Sequence, residues 1–174
     1  YIASSDKNLY AFTKEAISIF TNGVIEVCEG QSLDKEFEKR AEVSIKEYEK
    51  MIYKKTAALA QMCCELGAQI HGASKEQIRI VSNYGKYLGM AFQIQDDLLD
   101  ITAKENEFGK RIGSDLLEGK KTYLFLKALE KAKGKDKAEL IKVIRQKGIN
   151  KTQIEKYKIF ILNSVSLKMP SVRY

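Results

Sequence analysis

At 174 residues the chain is long enough to bury a hydrophobic core as one domain without disulfides or structural metals. One proline, Pro170, set against 44% hydrophobic and 30% charged residues leaves long stretches without a helix breaker. No period-two alternation appears, so composition points to an all-α fold and argues against a sheet protein. The net charge of +7 is local: Lys131 to Lys158 holds ten Lys and Arg against three Asp and Glu, and the rest of the chain is balanced.

In chain order, the first helix is expected from about Asp6 to Gly30, with glycine as its terminator. Capping boxes, a Ser or Asn followed three residues later by Glu or Gln, then mark further starts. Ser44 with Glu47 opens a helix to about Gly72, Ser74 with Gln77 one to about Thr102, and Asn150 with Gln153 a short one. Two more are expected over Lys121 to Lys133 and Lys135 to Gly148, making about six. In the second, Ile45, Tyr48, Ile52, Leu59, Met62, Cys63, Leu66 and Ile70 recur at helical spacing and are expected to form its buried stripe. The glycine-bearing passage Gly109 to Gly119 reads as a functional loop. The apolar run needed for a membrane helix, about 18 residues, is absent, and Tyr1-Ile2-Ala3-Ser4 has no signal-peptide pattern, so a soluble, cytoplasmic protein is expected. Cys28, Cys63 and Cys64, an odd number without zinc spacing, are expected to be buried, reduced thiols. His71, beside Gly72, is expected near a helix end with no catalytic part. Phe20, Tyr84 and Phe92 read as core more readily than as a substrate wall.

The passage from Tyr87 to Ile101 is nearly apolar all round, the pattern of a helix buried among several neighbours. It nevertheless carries three carboxylates. Gly89, Gln93, Asp96, Asp97 and Asp100 fall along one stripe, because offsets of three and four stack on one helical face. No Lys or Arg stands between Lys86 and Lys104. Like charges so close repel, burial raises the cost of ionising them, and the negative end of their own helix dipole is the wrong place for anions. Capping of that helix does not explain them. A hard divalent cation does, and carboxylates on a rigid helix suit Mg²⁺ shared with substrate phosphates. The bland alternative is a solvated acidic face.

The run Gly89-Met-Ala-Phe-Gln-Ile-Gln-Asp-Asp-Leu-Leu-Asp100 resembles the second aspartate-rich motif of the trans-isoprenyl diphosphate synthases. Tyr53-Lys-Lys-Thr-Ala-Ala58 is similar to that family's Lys-Thr helix, and Phe108-Gly-Lys-Arg-Ile-Gly-Ser-Asp-Leu-Leu-Glu-Gly-Lys-Lys-Thr122 to its glycine-rich lysine loop. Gly30-Gln31 matches a weaker signature. The motifs cover about Gly30 to Leu129, and the end of the chain, 159–174, resembles no family ending. The resemblance implies a single domain over 1–174, an antiparallel helical bundle of isoprenoid synthase type, here partial, with a catalytic cavity between helices.

The same resemblance assigns roles. Asp96 and Asp100 hold Mg²⁺ bridging to an allylic diphosphate, Asp97 supports them through waters or a second ion, and Asp115 binds metal-bound water or orients a lysine. Lys55, Lys110 and Lys120 bind substrate diphosphate, the two loop lysines on a segment that swings over it. Thr56 and Gln93 flank the reacting carbons with oxygen dipoles. Lys54 and Lys121 are read as solvated, and Gln31 as a helix-terminus contact. The implied reaction ionises the allylic diphosphate, lets isopentenyl diphosphate attack, and eliminates a proton to the departing pyrophosphate. A homodimer is implied too, with the apolar stretch Ala11 to Val27 offering a face.

The family carries a first aspartate-rich motif upstream of this second one, whereas Asp96-Asp97 is the only Asp-Asp pair here. Since the chain also opens on tyrosine, it is expected to belong to a longer protein. Product length therefore stays open. A catalytically silent partner subunit, or a truncated inactive form, is the alternative reading. A nucleic-acid binder ranks last, because Lys131 to Lys158 offers only Tyr157 as a stacking platform.

Overall fold

The computed structural model describes residues 2–103 and 113–165, with side chains from residue 12 onward. Lys110 lies outside the described residues. Every regular element among them is helical: α1 (Ile2–Lys39), α2 (Ile45–Ile52), a π-helical turn (Tyr53–Ala57), α3 (Ala58–Ile70), α4 (Lys75–Thr102), α5 (Ser114–Leu117), α6 (Tyr123–Lys131), α7 (Gly134–Arg145), a 3₁₀ turn (Lys151–Gln153) and α8 (Ile154–Val165).

The capping boxes lie where the sequence places them. The Ser44 amide donates to Glu47 at 2.8 Å and the Glu47 amide back to Ser44 Oγ at 3.2 Å. Ser74 and Gln77 repeat the exchange at 2.8 and 3.3 Å, and Asn150 with Gln153 opens the 3₁₀ turn. These reciprocal bonds satisfy amides that the first turn of a helix leaves without partners.

The chain divides into two compact units, Tyr1–Asp34 with Glu49–Gln93, and Lys35–Tyr48 with Ile94–Tyr174. In the first unit, glycines mark where helices touch. A Cβ on Gly23 would lie 2.4 Å from Met62 Sδ, one on Gly30 2.2 Å from the Lys55 nitrogen, one on Gly85 2.7 Å from the Ala60 carbonyl oxygen, and one on Gly89 2.5 Å from Ala57 Cα. Along each contact the residue numbers run in opposite senses, so α1 and α4 are both antiparallel to the α3 segment. Gly30 thus corrects the expected end of α1. It is there for close approach, and the helix continues to Lys39.

The expected stripe of α2 and α3 is corrected in part. Tyr48, Ile52 and Met62 are buried, but Leu59 and Ile70 are exposed at 50% and 69%, and Cys63 is exposed. The π-helical turn supplies the reason: it adds a residue to one turn, so the buried positions step from Ile52 to Ala57 and the downstream phase moves by one. Cys28 is exposed as well, so two of three thiols expected to be buried are not, although all three are free. Phe20, Tyr84 and Phe92 are likewise exposed, as are Tyr87 and Leu88, so the apolar face of α4 is only partly covered. The side of α4 that does pack is the one carrying Gly85 and Gly89, and one neighbour covers only one stripe of a helix. His71 is the C-cap of α3, its amide bonded to the Gly67 carbonyl.

The second unit has a continuous hydrophobic core of Ile101, Leu116, Leu124, Phe125, Ala128, Leu140, Val143, Tyr157, Ile161 and Leu162. α6 and α8 supply three of these residues each, and α6 buries Leu126 as well. Below it, Gly119 and Gly148 pass backbone to backbone: both have left-handed φ, +66° and +123°, and a Cβ on Gly148 would sit 1.9 Å from the Leu117 carbonyl oxygen. Only glycine accepts that conformation and that approach together. Among the described residues no helix is long and apolar enough to cross a membrane.

Candidate functional site

In the first unit the chemistry gathers at the π-helical turn, a local irregularity often found at functional sites. Lys55 Nζ pairs with Asp34 Oδ2 at 2.6 Å, both side chains about a third exposed or less. Thr56 Oγ1 donates to Gln93 Oε1 at 2.9 Å. Thr56 and Gln93 are therefore drawn together by a side-chain bond within one unit, while the adjacent Lys55 is tied to Asp34, and the absence of a Cβ at Gly30 and Gly89 is what lets α1 and α4 reach the turn. Asp34 escaped the sequence reading. The signal for it was its place one turn after Gly30, on the face that the glycine turns toward Lys55.

Lys54 is not the solvated lysine expected. Its side chain is 14% exposed, and Nζ donates to both Glu26 and Glu29, bonds that raise its pKa. Lys121 is corrected in the same way: in the second unit its Nζ donates to the Phe37 carbonyl at 2.9 Å, and burial lowers its pKa. Gln31 is exposed and lies within α1, away from either terminus.

In the second unit the three aspartates of α4 have different surroundings. Asp97 is 4% exposed, and one of its oxygens, Oδ2, accepts both the Tyr48 hydroxyl and, at 2.9 Å, the Tyr123 amide. Tyr123 is the first residue of α6, whose N-cap Thr122 makes no side-chain cap bond. Asp97 thus caps a helix other than its own, at the positive end of that dipole. Burial, then the Asp97 charge, holds the Tyr48 phenol far above its usual range, so it remains a donor.

Asp100 accepts the Ser114 hydroxyl at 2.7 Å and the Asp115 amide at 3.1 Å, while the Gly113 amide donates to the Asp100 carbonyl at 2.8 Å. The last turn of α4 thereby orders the start of α5, which the sequence reading left as loop because four residues are too few to show a helical period. Asp115 is pushed up by burial and then by the Asp100 charge, and Lys120, 3.0 Å away, only partly offsets this. Lys120 itself is pulled down by burial, but its bonds to Asp115 and Glu118 outweigh that and raise it. Asp96, half-buried, has no hydrogen-bond or ion-pair partner among the described residues.

The second unit therefore concentrates carboxylates around Asp115, whose pKa Asp100 and Asp97 raise and Lys120 only partly lowers, and it leaves Asp96 unanswered. All are hard oxygen donors. Among the described residues no group of three or more His, Cys, Asp and Glu is placed to hold a metal by itself. Mg²⁺ does not need one, since it is usually held by one or two carboxylates with waters and substrate phosphates completing the octahedron, so the donor set fits it.

Comparison with known proteins gives the same direction. The family model described as Polyprenyl synthetase matches residues 3–160. A short chain isoprenyl diphosphate synthase of Methanothermobacter thermautotrophicus is 44% identical over 147 residues, covering 84% of this chain and 45% of that protein. Among solved structures, a geranylgeranyl pyrophosphate synthase superposes with a TM-score of 0.79 at 36% identity, covering 88% of this chain and 48% of that one. The polyprenyl synthase from Caulobacter crescentus CB15 complexed with calcium and isoprenyl diphosphate gives 0.80 at 25% identity, with 93% and 50% covered. The chain thus spans about half the length of the relatives it matches. With the aspartate stripe, the Lys-Thr turn and the lysine loop each falling inside the matched region, the chain belongs to the polyprenyl synthetase family.

Proposed function

We propose that the protein takes part in trans-prenyl transfer, condensing isopentenyl diphosphate with an allylic diphosphate to a longer polyprenyl diphosphate. The observation that carries this reading is Asp96, a half-buried carboxylate with no partner among the described residues, beside the mutually repelling Asp100 and Asp115. Asp96 and Asp100 are the metal ligands, with Asp97 in support and Asp115 acting through water. Bound magnesium supplies positive charge against the diphosphate that leaves. Lys55, Lys110 and Lys120 bind diphosphate oxygens as mobile point charges. Thr56 and Gln93 present oxygen dipoles to the carbons where positive charge develops. The proton lost at the end goes to the departing pyrophosphate, which is consistent with a set of anion clamps and metal ligands that includes no general base. The protein works in the cytoplasm as a homodimer, for which the exposed Ile17, Phe20, Val24 and Ile25 offer an apolar face.

A second reading is a catalytically silent partner subunit of such a synthase. One experiment separates them. The protein is incubated with labelled isopentenyl diphosphate, an allylic diphosphate and Mg²⁺, and binding of the allylic diphosphate is measured in parallel. Magnesium-dependent product supports the transferase. Binding without product supports the silent partner, and neither binding nor product refutes both.

A further inference from the structure

We propose that Asp97 is a positioning residue that sets its neighbour Asp96 and does not itself ligate the metal, and that Tyr48 is the side chain that holds it. This rests on the reading of Asp96 and Asp100 as magnesium ligands and refines it.

The two halves of the Asp-Asp pair differ in everything but residue type. Neighbours on a helix point about 100° apart, so when one turns into the core the other is directed away from it. Asp97 is the one turned in, and the Tyr48 hydroxyl and the Tyr123 amide converge on its Oδ2. A carboxylate oxygen has two lone-pair sites, and two donors occupy them. Both donors are fixed by packing. Tyr48 is 4% exposed with its ring tilted against that of Tyr123 at 6.3 Å, and the Tyr123 amide is the first of α6, the helix at the centre of the second unit's core. Asp97 thus joins the start of α2, the end of α4 and the start of α6 at one atom. That junction fixes the rotation of α4 about its axis, and with it the direction in which the Asp96 carboxylate is presented. Tyr48 lies in no motif singled out in the sequence, and 49 residues separate it from Asp97.

The test uses magnesium chloride with inorganic pyrophosphate as the probe and the thermal stabilisation they produce as the readout, so that catalysis is not required. Four variants of the whole protein are compared for the Mg²⁺ concentration giving half the stabilisation and for the melting temperature without ligand. Asp96→Asn is expected to raise the half-saturating concentration by at least about tenfold with little change in unliganded melting temperature. Asp97→Ala, which removes the acceptor, is expected to lower the melting temperature and raise half-saturation roughly tenfold, because Asp96 is no longer held. Asp97→Asn keeps an oxygen that accepts both donors and is expected to rescue half-saturation to within about threefold of the parent. Tyr48→Phe is expected to be non-additive with Asp97→Ala in melting temperature. The inference is overturned if Asp97→Asn impairs magnesium response as much as Asp96→Asn does, since Asp97 is then a ligand. It is equally overturned if Asp97→Ala lowers only the melting temperature. An Asp96→Asn variant with an unchanged magnesium response brings down the metal reading itself, and this inference with it, by a result distinct from the other two.

Discussion

Replacing Gly30 by alanine sets two effects of opposite sign against each other, and the structure decides between them. Alanine in a helix interior is favoured over glycine by about 1 kcal/mol. At Gly30, however, the new Cβ would lie 2.2 Å from the Lys55 nitrogen and 2.6 Å from Lys55 Cα, where ordinary contact begins at 3.4 Å. The atoms in the way are backbone, so the π-helical turn must retreat by more than an ångström. Overpacking of this kind costs roughly 3 kcal/mol, at the upper end of the usual range because no side chain is free to yield. The net loss is about 2 kcal/mol, or roughly 4–8 °C in melting temperature for a chain of this size. Gly67→Ala is the control. It lies inside α3, and a Cβ added there would meet nothing within 4 Å, so only the propensity gain remains and the melting temperature should rise by about 2–4 °C. Thermal melts followed by circular dichroism at the helical band measure both. If Gly30→Ala melts at or above the parent, the contact between α1 and the Lys55 turn is not the close approach described.

Phe125→Ala empties a site that is 1% exposed in the second unit's core and should cost about 3–5 kcal/mol in urea unfolding, whereas Ile159→Ala, 52% exposed, should stay within about 0.5 kcal/mol. Lys55→Ala should weaken pyrophosphate binding in the presence of Mg²⁺ by roughly tenfold or more, the loss of one charge-assisted bond, measured by the same thermal shift. Acid should loosen the start of α2. Bonds from the Ser44 amide, then Arg40 and the Ser44 hydroxyl, lower the Glu47 carboxyl from 4.5 to about 2. A depressed pKa contributes stability present above 4.5 and lost as pH falls toward about 2, so the pH dependence of melting across that window should shrink in Glu47→Gln.

How far each feature could be read in advance follows from the range of the interaction behind it. The starts at Ser44, Ser74 and Asn150 were legible because a capping box is complete within four residues. That Asp96, Asp97 and Asp100 lie on one helix was legible for the same reason, since helical offsets of three and four are local, but Asp97 turns into the core and leaves the stripe. Gly30 was misread because the same residue serves both to end helices and to let backbones touch, and only the partner, Lys55, tells which. The π-helical turn left no local sign, so Leu59, Cys63 and Ile70 beyond it were placed on the wrong face, although Met62 is buried as expected. The distinct parts of Asp96 and Asp97 were invisible because Tyr48 and the Tyr123 amide reach Asp97 from distant points in the chain. The lysines divided similarly. Nothing local distinguishes Lys54, tied to two glutamates, from Lys55, paired with one aspartate.

The crossing of Gly119 and Gly148 bears on how this protein can vary. Each position is closed to side chains by its own φ and by the other's backbone, so neither can be relieved by changing its partner. In a saturation library the two should appear as a matched pair of intolerant sites that no second substitution rescues, and the Lys120 segment beside Gly119 would inherit that immobility across related proteins. Variation in the lysine loop would then be confined to its earlier part, upstream of Gly113.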